Sequence, residues 1–385
     1  MDHGRDLGVI VAATVCLTLG NVAWDVLGPL WTAHALGVAP DEWAGLRSLR
    51  FTGTIIGTLL IGSAAGRWDA RTIAAVALGA AGLALAGIMV VGRPALALAM
   101  PCFGAAVSAV FVALNSMVQQ VPRAHQARAN GIYRCVGAGV AVVAPLLAAG
   151  IAVAWGQFPA LLAAAAVLAA GFPLLFRWPP ASGGTQADGV RGTLIAACRR
   201  PRLLLFIGLE SLVNLLLSGS VAFTALHLSV DLGMADGAVG TALAAGAASA
   251  FAATLLAGWA HAALGLRRLL PLTWGLMAAG GGLLAAAGSA SSAVAACAVI
   301  GLGAGLGLAP TSLAVARLGG DGNAVRTFTL WKLAQALTAV LGMQACAVLA
   351  SSLGMAGVLA WGAIAAGLPI LLLAIMGRRI LAGCD

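Results

Sequence analysis

Apolar stretches of about 20 residues, the length needed to cross the hydrocarbon of a bilayer, follow one another along almost the whole chain. Twelve are expected, near 7–35, 41–66, 70–92, 94–121, 128–154, 156–177, 201–229, 236–264, 266–288, 291–316, 323–350 and 353–377. A water-soluble core cannot absorb them. Charged residues make up 9% of the sequence, against about a quarter in a soluble domain, so the folded surface must face lipid. Barrel strands need short alternating segments, and none appear. What remains is an all-α membrane protein whose many Gly and Ala residues let helices approach closely, where lipid supplies no hydrophobic drive.

The formal net charge of +9 would suit nucleic acid, but its placement does not. Arg47, Arg50 and Arg93 lie toward one set of span ends, and the other Lys and Arg residues lie at the opposite set. Basic residues stay on the cytoplasmic side, so both termini are expected in the cytoplasm of a bacterium, with the spans in its inner membrane. Membrane lipids are expected partners and nucleic acid is not. The first span is too long, with too few basic residues before it, to be a cleaved signal. Cys16, Cys102, Cys135, Cys198, Cys297, Cys346 and Cys384 form no C-x-x-C pair and are expected to be small packing residues. No metal or cofactor is expected.

One long polar stretch, 178–200, carries Pro179-Pro180 and Ser182-Gly183-Gly184 and ends in basic residues. It is expected to be a cytoplasmic linker between six-helix bundles at 1–177 and 201–385, with 190–199 lying as a short helix along the interface. The bundles repeat. Gly62 and Gly258 stand 196 residues apart, and the same offset relates Thr14 to Glu210, Thr18 to Asn214, Asn115-Ser116 to Thr311-Ser312, and Leu36-Gly37-Val38-Ala39 to Leu232-Gly233-Met234-Ala235. At an offset of 198, Arg128, Tyr133 and Arg134 meet Arg326, Trp331 and Lys332. Such repeats place a substrate site near the bilayer midplane, between the halves.

After the second span the chain reads Gly62-Ser63-Ala64-Ala65-Gly66-Arg67-Trp68-Asp69-Ala70-Arg71. With the duplicated twelve-span pattern, this resembles the major facilitator superfamily, whose loop signature is Gly-x-x-x-Asp-Arg-x-Gly-Arg-Arg. Gly62, Arg67 and Arg71 fit, while Gly66 stands in the acidic position and Asp69 one turn on; the second copy keeps Gly258, Gly265 and Arg267. The resemblance implies a gating loop of Gly62, Arg67, Asp69 and Arg71. Ala144-Pro145-Leu146-Leu147-Ala148-Ala149 resembles a degenerate form of the fifth-helix motif of the drug and metabolite proton-antiporter branch, although Met100 replaces that branch's fourth-helix Arg. A monomer and a central cavity lined by helices 1, 4, 7 and 10 are further implications.

Polar residues on those helices fall at helical spacing. Thr14, Thr18, Asn21 and Asp25 share a face of the first, Ser108, Asn115 and Gln119 of the fourth, Glu210, Asn214 and Ser218 of the seventh, and Thr311 and Ser312 lie on the tenth. Carboxylates within lipid cost roughly 2.5–3.5 kcal/mol on insertion scales and rarely persist without a partner or a function, which singles out Asp25 and Glu210. The first two spans form a hairpin with its turn near 37–40, and Asp25 and Arg50 each lie roughly 14 Å in from the outer membrane end at 1.5 Å per residue, so they are expected to pair, as a permanent clamp or as a switch opened by protonation. Glu210 is expected to meet Arg134 and Lys332 at one level, where two cations and one acid suit an anionic or zwitterionic solute. Trp24, Tyr133 and Trp331 accompany these groups. Trp31, Trp43, Trp68, Trp155, Trp178 and Trp259 sit where indoles anchor at membrane boundaries, and His34 and His227 near the outer ends of helices 1 and 7 lie in the range of pH switches.

The expected function is secondary active transport of a small organic solute by alternating access, coupled to protons and directed outward. The alternatives are proton-coupled uptake of an organic anion or zwitterion, and a non-transporting sensor or assembly protein on the same fold. No Gly-Lys-Ser/Thr loop or His-Glu-x-x-His motif occurs, so neither direct ATP use nor a membrane enzyme is expected.

Overall fold

The computed structural model describes residues 3–64, 68–120, 123–176, 200–319 and 324–382, and helix is the regular structure throughout them. The elements are α1 (His3–Leu36), α2 (Pro40–Ala64), α3 (Ala70–Val91), α4 (Arg93–Gln120), α5 (Arg123–Trp155), α6 (Gln157–Phe176), α7 (Pro201–Leu216), α8 (Ser218–Leu226), a π turn (His227–Asp231), α9 (Asp236–Ala285), α10 (Ala290–Gly319), α11 (Ala324–Ala365) and α12 (Gly367–Ile380). Among the described residues, eight helical runs are long and apolar enough to cross a membrane. Of the expected linker at 178–200, residues 178–199, with the interfacial helix, lie outside the described residues.

α9 has 50 residues, about 75 Å if straight at 1.5 Å per residue, far beyond the ~30 Å of hydrocarbon. It is not straight. Gly265 has φ 68° and ψ 163°, a left-handed region open to glycine. Gly246 and Gly280, on either side, both pack at the 296–300 level of α10, while Ala250 and Thr273, nearer the break, meet Gly305 and Gly307. The two halves therefore run antiparallel, as the separate segments 236–264 and 266–288 require. α11 reverses in the same way at Gly354, where φ is 68°: Cys346 and Val358 both face Gly219, and Gly342 and Gly362 both face the 215–218 level.

The segment at 201–229 departs from expectation. It is interrupted at Leu217 (φ −87°, ψ 1°) and ends in the π turn. Ser218 Oγ donates to the Leu215 carbonyl at 2.5 Å, the kind of side-chain competition that interrupts helices. Within the π turn, buried His227 pairs through Nδ1 with Asp231 at 2.7 Å and through Nε2 with the Leu284 carbonyl at 3.1 Å, whereas His34 is exposed.

By packing, the chain divides into two compact units, Met1–Val38 with Leu49–Ala187, and Ala39–Ser48 with Asp188–Asp385. In the first, α1 packs on α5 and α6, and α3 on α4 and α6. In the second, α9 packs on α10, and α7 and α8 on α11. Both units use the same small parts. α1 ends at Gly37 (φ 62°) and the π turn at Gly233 (φ 63°), and the following N–H, of Val38 or Met234, donates to the Thr32 or Leu228 carbonyl at 3.1 and 3.0 Å. A Cβ on Gly104 would overlap the Arg50 carbonyl oxygen, and one on Gly301 would overlap that of Gly246. Two crossings thus depend on backbone-to-helix contact of the kind small residues permit.

Leu83, Val90, Leu98 and Ile364 are 73%, 77%, 74% and 81% exposed, a surface suited to lipid rather than to water. Trp68, Trp155 and Trp259 are likewise exposed, but Trp31 and Trp43 are buried. Trp43 is no boundary anchor, because the first turns of α2 pack as part of the second unit, where the Gln344 amide also donates to the Ser48 hydroxyl. Cys16, Cys297 and Cys346 are buried, but Cys102 and Cys135 are exposed rather than packed inside. Cys198, Cys384 and Trp178 fall outside the described residues.

Candidate functional site

In the first unit, Asn21 and Asp25 stand one turn apart on α1 and meet Arg50 of α2 in a closed ring. Arg50 Nη1 donates to Asp25 Oδ1 at 2.6 Å, Arg50 Nη2 donates to Asn21 Oδ1, and Asn21 Nδ2 donates to Asp25 Oδ2 at 3.0 Å. The guanidinium lies 5.0 Å from the centre of the Phe103 ring, and Phe103 packs edge-on against buried Trp24 at 6.2 Å. Each charge offsets the other's burial; the Arg50 side chain is 11% exposed and that of Asp25 30%, so removal of Asp25 would leave a buried cation without its counter-charge, at about 3–5 kcal/mol. The aromatic face adds about 0.5–2 kcal/mol. Nearby, Thr58 and Ser108 share a hydrogen bond of 2.8 Å.

In the second unit, Glu210 of α7 is buried and both of its oxygens are held by neutral donors from α11. Trp331 Nε1 donates to Oε2 at 3.0 Å and Gln335 Nε2 to Oε1 at 2.8 Å. Lys332 reaches Glu210 through an intermediary: its Nζ donates to Gln335 Oε1 at 2.9 Å and lies 4.6 Å from the Trp331 ring centre. Asn214, one turn beyond Glu210, donates to the Gln335 carbonyl at 3.1 Å and to Thr338 Oγ1 at 3.3 Å, which fixes the α11 backbone beneath the amide. Lys332 follows Trp331 by one position and so points round the helix from the face that Glu210 meets, which leaves Gln335 as the link between them. Arg134, exposed on α5 beside buried Tyr133, belongs to the first unit.

Gln335 and Phe103 escape a reading based on charge. The signal for Gln335 is present nonetheless: Trp331, Gln335 and Thr338 recur at spacings of four and three, one face of a helix. Of the remaining residues, Asn115 is exposed and donates to the Phe111 carbonyl of its own helix at 2.8 Å, Thr311 is buried, and Ser312 donates to the Leu308 carbonyl at 2.9 Å. The Gln119 side chain lies outside the described residues. In the gating loop, Asp69 precedes α3 and pairs with Arg71 at 3.5 Å; Gly62 lies in the last turn of α2, and Arg67 is outside the described residues. Among the described residues, no three of His, Cys, Asp and Glu gather as a metal site would require.

Residues 10–343 match the family model of the Major Facilitator Superfamily. Among curated proteins, none matches the sequence. The fold is similar to that of the crystal structure of nucleoside transporter NupG, at 15% identity and a TM-score of 0.78 over 99% of this chain and 100% of that one. It is also similar to a POT family transporter in complex with a thioalcohol conjugated peptide, at 13% identity and a TM-score of 0.74 over 98% and 96% of the two chains. A POT family transporter in complex with 5-aminolevulinic acid gives 13% identity and 0.73 over the same shares. The family match covers most of the sequence and the solved structures span nearly all of it: the chain belongs to the Major Facilitator Superfamily, as an integral membrane protein of transporter fold.

Proposed function

We propose that this protein is a proton-coupled secondary transporter of a bacterial inner membrane, monomeric, with twelve spans and both termini in the cytoplasm. Its bundles at 1–177 and 201–385, joined by the linker at 178–200, move a small organic solute by alternating access. The observation that carries the proton reading is the contrast between its two acids. Asp25 is clamped to Arg50, so its protonation would strand a buried cation. Glu210 is held by the Trp331 indole and the Gln335 amide, so it can be neutralised without stranding one. Glu210 is therefore the coupling acid, and Asp25 with Asn21 and Arg50 is a strut.

The Pro145 segment of α5 is the feature behind outward, drug-type antiport. The α7 and α11 network favours the other direction, uptake of an organic anion or zwitterion with a proton, because it sets an exposed cation, Lys332, beside an acid that can be neutralised. Trp24, Asn115, Gln119, Tyr133, Arg134, Asn214 and Thr311 are the further residues proposed to face the solute, and Gly62, Arg67, Asp69 and Arg71 the gate. The test is transport in proteoliposomes under an imposed pH gradient, with acidic and zwitterionic metabolites as probes. Uptake that follows the gradient in the wild type and ignores it in Glu210→Gln supports the reading. Uptake indifferent to the gradient, or unchanged coupling in Glu210→Gln, overturns it.

A further inference from the structure

His227 is buried, 2% exposed, in the π turn that follows α8, and both nitrogens of its ring face oxygen acceptors. Nδ1 lies 2.7 Å from Asp231 Oδ2, and Nε2 lies 3.1 Å from the Leu284 carbonyl oxygen. A carbonyl and an ionised carboxylate have no proton to give, and a neutral imidazole donates from one nitrogen only. A neutral ring would therefore set a lone pair against one of the two oxygens, whereas an imidazolium donates to both. A proton on Asp231 would also complete the pair of bonds, but that side chain is 35% exposed, and water favours its ionised form. The proton belongs on the ring.

The surroundings favour a cation there. Leu284 lies in the last turn of α9, where carbonyls lack partners within the helix and the dipole is negative; its oxygen also accepts from the Ala287 N–H at 3.2 Å. The π turn packs on α8, α9 and α11. α8 carries no charged residue. α9 begins with Asp236, a second carboxylate at this end, and holds His261, Arg267 and Arg268 at its far end, beside the Gly265 reversal. α11 holds Arg326 and Lys332 in its opening turns and buried Cys346 toward Gly354. The first turns of α2, in the same unit, add Asp41, Glu42 and Arg47.

At the offset of 196 the first unit has Trp31 in the place of His227 and Ala35 in that of Asp231, so it has no titratable pair at the matching joint. In the second unit α8 is cut off from α7 at Leu217, and its far end relies on this joint for its place against α9. We propose that His227 is a proton site separate from Glu210, and that its imidazolium is a clasp fastening the far end of α8 to α9. The clasp is closed while the ring holds both protons and Asp231 is ionised, and it opens as the pH rises and the ring loses one. In the topology proposed above this end faces the medium, so an alkaline medium frees α8 without any change at Glu210.

The test is hydrogen exchange of the purified full-length protein in detergent, read by mass spectrometry on peptides covering 227–235. There the Leu232 and Met234 amides donate to the His227 and Leu228 carbonyls. Rates are corrected for the intrinsic effect of pH on exchange. Between about pH 5 and pH 8, where histidine changes charge, protection in the wild type should fall about tenfold, as suits the loss of one hydrogen bond to a charged group. Asp231→Asn separates the clasp from plain packing. Its amide accepts from the charged ring or donates to the neutral one, so protection should stay flat, and above the wild type at alkaline pH. His227→Gln should be flat and below the wild type at acid pH. Glu210→Gln and Asp236→Asn should keep the wild-type fall.

Wild-type protection that ignores pH overturns the proposal, as does an Asp231→Asn variant that falls like the wild type. A fall that vanishes in Glu210→Gln would give the proton to that acid and overturn it as well.

Discussion

The crossing of α1 with α5 in the first unit and that of α7 with α11 in the second are built from corresponding positions and hold opposite contents. Thr14 closes its hydroxyl onto the Ile10 carbonyl of its own helix at 2.6 Å, and Gly137 faces its methyl group with no side chain of its own. At the matching positions Glu210 and Gln335 are hydrogen-bonded across the crossing. The first unit carries its charge elsewhere, at Arg50, whose counterpart against the facing glycine is Gly246. Duplication has supplied the same frame twice, and the ionisable groups have been laid into different joints of it. One joint is a closed ring of opposite charges, suited to holding helices together; the other is an acid among neutral donors, suited to changing its charge.

The comparison breaks first if the ring is not a strut. Asp25→Ala should lower stability by about 3–5 kcal/mol through the buried Arg50 left without its counter-charge, read as a thermal shift in detergent, and adding Arg50→Met to that variant should restore much of the loss. A fall no larger than that of a surface substitution would show that Asp25 and Arg50 part readily. The shared frame is sharpened by Gly104→Ala and Gly301→Ala, which press a methyl group against the same backbone contact in each unit. Each should cost about 1–3 kcal/mol, and a large inequality would mean that the two crossings are not equivalent. Gly37→Ala and Gly233→Ala, at left-handed helix ends, should each cost about 1 kcal/mol or somewhat more in the same assay. The smallest stability change, within about 1 kcal/mol, is expected for Glu210→Gln, in contrast to its large effect on coupling.

The helical frame was legible because lipid imposes a span length and because glycine marks reversals that cost one residue: the expected boundary between 264 and 266 falls on Gly265, and that between 350 and 353 lies beside Gly354. The Asp25 and Arg50 contact was legible too, since counting 1.5 Å per residue from one hairpin turn puts both at equal depth. The partners of Glu210 were not. Search for opposite charges leads to Lys332 and Arg134, whereas a buried carboxylate is satisfied equally by an indole N–H and an amide, and such neutral groups carry no signal in a charge pattern. The break at Leu217 was hidden for a similar reason: neither Pro nor Gly stands at that position, and the interruption arises from a serine hydroxyl competing for a carbonyl.

The one-residue reversals at Gly265 and Gly354 leave no surface loop between the helices they join. Epitope tags, fusion partners or protease sites inserted there would have to prise apart two packed helices before they could be accommodated, so probes intended to report on movement of the second unit belong in the longer connections at 232–235 or 286–289. Antibody fragments raised against the folded protein will correspondingly find little to grip at either glycine.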